Sequence, residues 1–182
     1  MKSIEIFALV FFALTISVLS SAEESTRDGL YLSAGIGYHY TTLASIVEGE
    51  TFATQNHRGL LTSVKIGPYL SPSFALYYQQ ELNWIEAESY IYTSGLNGIG
   101  GTLFLKNNTY FEVGLGFGSL TDMDMVEFEK ISGLAILTGI GIGAPGISQM
   151  GILCLVTVLD DDIIPGVTYQ TFSVAFKFEF KL

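Results

Sequence analysis

The C-terminal segment Phe172-Ser-Val-Ala-Phe-Lys-Phe-Glu-Phe-Lys-Leu182 puts a large apolar side chain at every second position and a small or charged one between. Side chains of a strand alternate between its two faces, so this segment has one oily face and one bearing Lys177, Glu179 and Lys181. A soluble barrel would turn the oily face inward. A membrane barrel would turn it to lipid and place the charges in a polar lumen. The remaining strands decide between the two.

The same period recurs along the chain. Leu30, Leu32, Ala34, Ile36, Tyr38 and Tyr40 alternate with Tyr31, Ser33, Gly35, Gly37 and His39, over a length suited to a tilted membrane strand. A second strand is expected from Arg58 to Tyr69, then a tight turn at Leu70–Ser73. In the third, Phe74, Leu76, Tyr78, Leu82 and Trp84 share a face interrupted only by Gln80. The fourth, Thr93 to Leu105, has glycines at 95, 98, 100 and 101 that fit neither face, which predicts a bulge. The fifth sets Phe111, Val113, Leu115 and Phe117 against Glu112, Gly114, Gly116 and Gly118. From Ile131 to Leu159 the chain is apolar enough for a membrane helix, but recurrent glycine disfavours one by about 1 kcal/mol each. Ala144-Pro-Gly-Ile147 splits the run into strands six and seven, the latter apolar on both faces with no readable register. The closing strand makes eight.

Short connections (Leu70–Ser73, Lys106–Asn108, Ala144–Ile147) alternate with long ones at Thr41–Asn56, Ile85–Tyr92, Ser119–Lys130 and after Asp160. The long ones carry the acids: Glu48 and Glu50; Glu86 and Glu88; Asp122, Asp124, Glu127 and Glu129; Asp160, Asp161 and Asp162. Short turns on one side and long loops on the other predict an outer-membrane barrel with both termini in the periplasm. The face opposite the oily set is mostly Gly, Ala and Ser, with Lys65, Gln79, Glu81, Glu112, Lys177 and Glu179. Such a face fits the narrow interior of eight strands and would leave a soluble barrel with little polar surface.

The leader agrees with this address. A charged start, an apolar run from Phe7 to Leu19 and Ser20-Ser21-Ala22 form a signal peptide over residues 1–22, cleaved after Ala22. The run is short for a membrane-spanning helix, and no cysteine at the cleavage site calls for a lipid anchor. The single cysteine, Cys154, excludes an internal disulfide framework and reads as a small apolar wall residue. A formal net charge of −10 argues against nucleic acid as a partner.

With a signal peptide, eight amphipathic strands and an aromatic-rich closing strand, residues 29–182 resemble the small outer-membrane β-barrel family typified by the OmpA transmembrane domain and OmpX. The resemblance is one of pattern and singles out no subfamily. It implies that Phe172, Phe176, Phe178, Phe180 and Leu182 form the strand recognised by the barrel-assembly machinery. The family usually ends in phenylalanine; this chain ends in Leu182. No peptidoglycan-binding domain is expected after the barrel, and a monomer surrounded by outer-membrane lipid and lipopolysaccharide is implied.

The remaining motifs have plain readings. Gly114-x-Gly116-x-Gly118 and Gly139-x-Gly141-x-Gly143 lie inside strands with no helix to follow, so they are spacers and not phosphate loops. His39 and His57 flank the first long loop without the spacing of a lipid-A-modifying site. The acidic runs lack EF-hand spacing and read as solvated surface loops, with no metal. Lys65, Glu81, Glu112, Lys177 and Glu179 share the polar face, where an unpaired charge is costly, so they are expected to pair and plug the lumen. The sequence therefore predicts an all-β, eight-stranded antiparallel up-and-down transmembrane barrel behind a cleavable signal peptide. No catalytic residue or cofactor is expected. Its role is structural or surface-exposed, with an unidentified extracellular partner. The alternatives are a narrow channel for small solutes and, third, a lipid-A-modifying enzyme.

Overall fold

The computed structural model describes residues 29–87, 90–105, 108–122, 130–144, 148–161 and 164–181. The expected leader, Lys106, Asp124, Glu127, Glu129, Asp162 and Leu182 lie outside the described residues. The strands are β1 (Leu30–Val47), β2 (Glu50–Ser71), β3 (Phe74–Ala87), β4 (Tyr90–Phe104), β5 (Thr109–Asp122), β6 (Lys130–Ala144), β7 (Ser148–Asp160) and β8 (Val167–Lys181). Each pairs antiparallel with the next, and β8 returns to β1, closing an up-and-down barrel. Closure leaves the barrel wall no open edge, which is how a β-structure crosses lipid with its backbone satisfied.

The stagger of the barrel follows from its register. Stepping across partners from Ser33 leads through Lys65, Gln79, Gly98, Gly116, Ala135, Thr157 and Thr171 back to β1 at Leu43. The return lies ten residues above the start, which inclines the strands by about 40° to the axis. Large apolar side chains cover the outside: Ile36, Tyr38, Val64, Tyr78, Ile99, Leu115, Phe117, Ile140, Ile152, Phe172, Phe176 and Phe180 are all exposed. The inside is closed by side chains, from Tyr31 and Tyr77 at one end to Leu159 at the other.

Three expectations change, one of them at the Ile85–Tyr92 loop, where β3 runs on to Ala87 and β4 already begins at Tyr90. The segment Thr41–Asn56 is not a loop: β1 and β2 continue through it and turn at Glu48-Gly49, where both residues have positive φ (52° and 86°). That is the two-residue hairpin turn whose twist matches the strands, and glycine takes the second position without penalty. Alternation fades there because polar and apolar residues mix on both faces of the hairpin.

Strand four carries no bulge. β4 stays in register with both neighbours throughout. Its glycines divide between the faces: Gly95, Gly100 and Gly101 lie under side chains from β3, and Gly98 lies against the backbone of β5 at Leu115 and Gly116. A Cβ on Gly100 would come 2.6 Å from both Tyr77 and Gln79 inside, and one on Gly101 would meet the Phe74 ring at 3.0 Å outside. The bulges sit elsewhere, at Ser45/Ile46 in the β1–β2 pair and at Tyr69/Ser71 in the β2–β3 pair.

The apolar 131–159 stretch forms β6 and β7, and no helix among the described residues is long and apolar enough to cross a membrane. Strand seven acquires a register from its partners. Leu153, Leu155 and Leu159 point inward and are buried, while Ile152, Val156 and Val158 point out.

Candidate functional site

The lumen is filled in layers. At the end where β1 begins and β8 ends, Tyr31 stacks on Tyr77 with ring centroids 5.1 Å apart, and Phe104, Tyr110 and Tyr69 complete an aromatic layer. Lys181 extends over it, 4.6 Å from the Phe104 ring centroid. Such a layer fills the cross-section with rigid rings and seals that end against water.

Above the rings lies the charge layer. Lys65 Nζ is 2.5 Å from Glu112 Oε2 and 2.9 Å from Glu179 Oε2. Lys177 Nζ is 2.9 Å from Glu81 Oε1, 3.1 Å from Glu112 Oε1 and 3.1 Å from Glu179 Oε2. These five side chains come from β2, β3, β5 and β8, so only closure of the sheet brings them together. All five are at most 1% exposed, which makes the pairing obligatory: with three carboxylates to two ammoniums, stripping a lysine leaves uncompensated carboxylates at a cost of about 3–5 kcal/mol. Glycine makes room for the cluster, since a Cβ at Gly139 would fall 2.7 Å from Glu112 Oε1.

Two neutral residues absent from the expected network complete it. Tyr31 Oη donates to Glu179 Oε1 at 2.9 Å, and Ser33 Oγ donates to the same oxygen at 2.5 Å. Their signal was parity: both are odd residues of β1, on the same face as the charges of β2 and β8.

Next comes a plug of Leu61, Leu96, Leu137, Leu153 and Leu155 with Ala135 and Ala175. Above it a hydroxyl and amide layer links Thr41, Ser173 and Asn83, with Thr157 and Thr171 bonded at 2.7 Å. His39 belongs here. Its Nδ1 lies 2.8 Å from Thr41 Oγ1 and its Nε2 3.1 Å from the Trp84 carbonyl. Both ring nitrogens have partners and no carboxylate is among them, so the ring is held as a structural group.

Outside the barrel wall the β1–β2 hairpin stands apart. β2 pairs with β3 only from Gly59 onward, whereas its pairing with β1 continues to Glu50. From Glu50 to Arg58, therefore, β2 is hydrogen-bonded on one side only among the described residues. The extra residue of the bulge is Phe52, which is 81% exposed. The turn is tied down by a bond from Glu48 N to Gly166 O at 3.2 Å.

The acidic residues are less organised. Asp160 Oδ1 accepts from Thr168 and Asp161 Oδ1 from the Ile164 amide, so both brace the connection to β8. Asp122 ends β5. Among the described residues no three His, Cys, Asp or Glu side chains gather to hold a metal ion. In the closing strand Phe172, Phe176 and Phe180 face outward, and the Phe176 and Phe178 rings meet edge to face at 4.9 Å.

No protein-family model and no curated protein sequence matches the chain. Solved structures do match in fold. The attachment invasion locus protein Ail of Yersinia pestis is 14% identical, with a TM-score of 0.51 over 82% of this chain and 99% of that one. Neisserial surface protein A is 10% identical, with a TM-score of 0.51 over 82% and 97%. The outer membrane protein OprG of Pseudomonas aeruginosa is 8% identical, with a TM-score of 0.51 over 87% and 99%. The chain has the fold of the small eight-stranded outer-membrane β-barrels, and no subfamily is singled out.

Proposed function

We propose that this protein is a non-enzymatic outer-membrane barrel whose closed wall anchors a surface hairpin for contact with a partner outside the cell. The supporting observation is the contrast between a lumen packed through every layer and a β2 edge left open from Glu50 to Arg58. A filled lumen opposes conduction. An open edge offers backbone N–H and C=O groups to an added strand, with Phe52 exposed beside them. One barrel of the same fold is named for attachment, which is the kind of role a displayed edge suits. In this reading the termini face the periplasm and the β1–β2 hairpin faces outward.

Two measurements test it. Planar bilayers containing the folded protein are expected to show no single-channel conductance; steady openings would favour the narrow-channel reading. An epitope inserted between Glu48 and Gly49 is expected to be cleaved by protease on intact cells. Protection of that epitope would overturn the orientation.

A further inference from the structure

The outer wall carries one pair of side chains that lipid does not suit. Gln80 on β3 and Asn97 on β4 are direct cross-strand partners, and both point away from the lumen. On β3 they are bracketed by Leu76 and Tyr78 toward the turn and by Leu82 and Trp84 toward the hairpin end, near mid-height of the apolar band. Gln80 Nε2 donates to Asn97 Oδ1 at 3.0 Å, and Tyr78 Oη reaches the same oxygen at 3.4 Å. This leaves Gln80 Oε1 as an acceptor and Asn97 Nδ2 as a donor, both turned toward the hydrocarbon. Exchanging O and N on both amides leaves the same inventory of one free acceptor and one free donor. Within a bilayer no water reaches such groups, so each exposed amide costs free energy until something pairs with it.

Resting on the membrane reading above, we propose that the β3–β4 outer face is a homodimer interface within the membrane. In it Gln80 and Asn97 of one copy hydrogen-bond Asn97 and Gln80 of a second. Symmetry selects this occupant. A two-fold axis along the membrane normal, passing between β3 and β4, sets each Gln80 opposite the second copy's Asn97, offset in depth by about 3 Å because the strands are tilted and within the reach of two amide side chains. The free acceptor of each then meets the free donor of the other, twice, and four amides close into a ring. A lipid tail offers neither donor nor acceptor. The row continues in apolar residues on both sides, Val64 opposite Gln80 and Phe117 opposite Asn97. The monomer expected from the chain is replaced by a pair held through four polar side chains.

The test uses the mature protein in phospholipid vesicles at high lipid-to-protein ratio, with Cys154→Ser removing the native thiol. Ile99→Cys, next to Asn97 on the outer face of β4, is treated with a short bis-maleimide. Ile140→Cys on β6, on another part of the wall, serves as the control. The expected result is a cross-linked dimer for Ile99→Cys and none for Ile140→Cys. Adding Q80L and N97L is expected to cut the dimer yield by about tenfold, the loss of two modest membrane hydrogen bonds. The exchange Q80N with N97Q, which keeps both amides, is expected to restore it. Equal yields at both cysteines, or yields unchanged by Q80L and N97L, would overturn the interface. Flotation with the vesicles and faster gel migration before boiling are scored for every variant. A wild type that fails to float overturns the membrane reading and the dimer with it; one that floats without cross-linking overturns the dimer alone.

Discussion

Adjacent residues of β3 meet different surroundings. Gln79, Glu81 and Asn83 point into the lumen, where Lys177 from β8 pairs with Glu81 and Ser173 accepts from Asn83. Gln80 points the other way and finds one neighbour, Asn97, with no opposite wall to face it. The interior face has seven other strands to draw on, because closure folds the sheet onto itself. The outer face has only its own two neighbours and whatever the membrane supplies. The inward charges are therefore paired within the chain, although both amide atoms of Gln79 stay without a hydrogen-bond partner there, while the outer amides are referred to another molecule.

Substitutions on the two faces should separate accordingly. Lys177→Met removes the ammonium shared by Glu81, Glu112 and Glu179, leaves three buried carboxylates to one lysine, and is expected to cost about 3–5 kcal/mol, read by urea unfolding in lipid vesicles. A loss below about 1 kcal/mol would mean that the interior charges do not depend on one another. Leu155→Ala opens a cavity in the leucine plug and should cost about 2–4 kcal/mol by the same measurement. Gly139→Ala pushes a methyl group against the Glu112 carboxylate and should cost about 1–3 kcal/mol. On the outer face, Q80L with N97L is expected to change unfolding by no more than about 1 kcal/mol in dilute detergent, since it restores an apolar wall. A large loss there would show that the outer amides hold the sheet together and would erase the contrast.

Much of the wall was legible in the chain because lipid and lumen impose a strict period of two. The faces of β5 and β8 read correctly, with Phe111, Val113 and Phe117, then Phe172, Phe176 and Phe180, all outward, although β5 runs on to Asp122 and β8 begins earlier, at Val167. Legibility failed where that contrast disappears. Residues 41–56 mix polar and apolar side chains on both faces, so a pair of long strands looked like a loop. β7 is apolar on both faces, because Leu153 and Leu155 fill the lumen as readily as Ile152 and Val156 face lipid. In β4 the glycines hid the pattern, since the bulk they accommodate belongs to Phe74, Tyr77 and Gln79 on β3.

By itself the sequence determined the strand count, the outward face and the set of interior charges, since these depend only on local alternation and turn chemistry. Tertiary closure alone decided which lysine meets which glutamate, that Tyr31 and Ser33 share Glu179, and that between Glu50 and Arg58 β2 pairs with β1 alone among the described residues. Those facts depend on a stagger of ten residues around the ring, a property of eight strands together that no single segment carries.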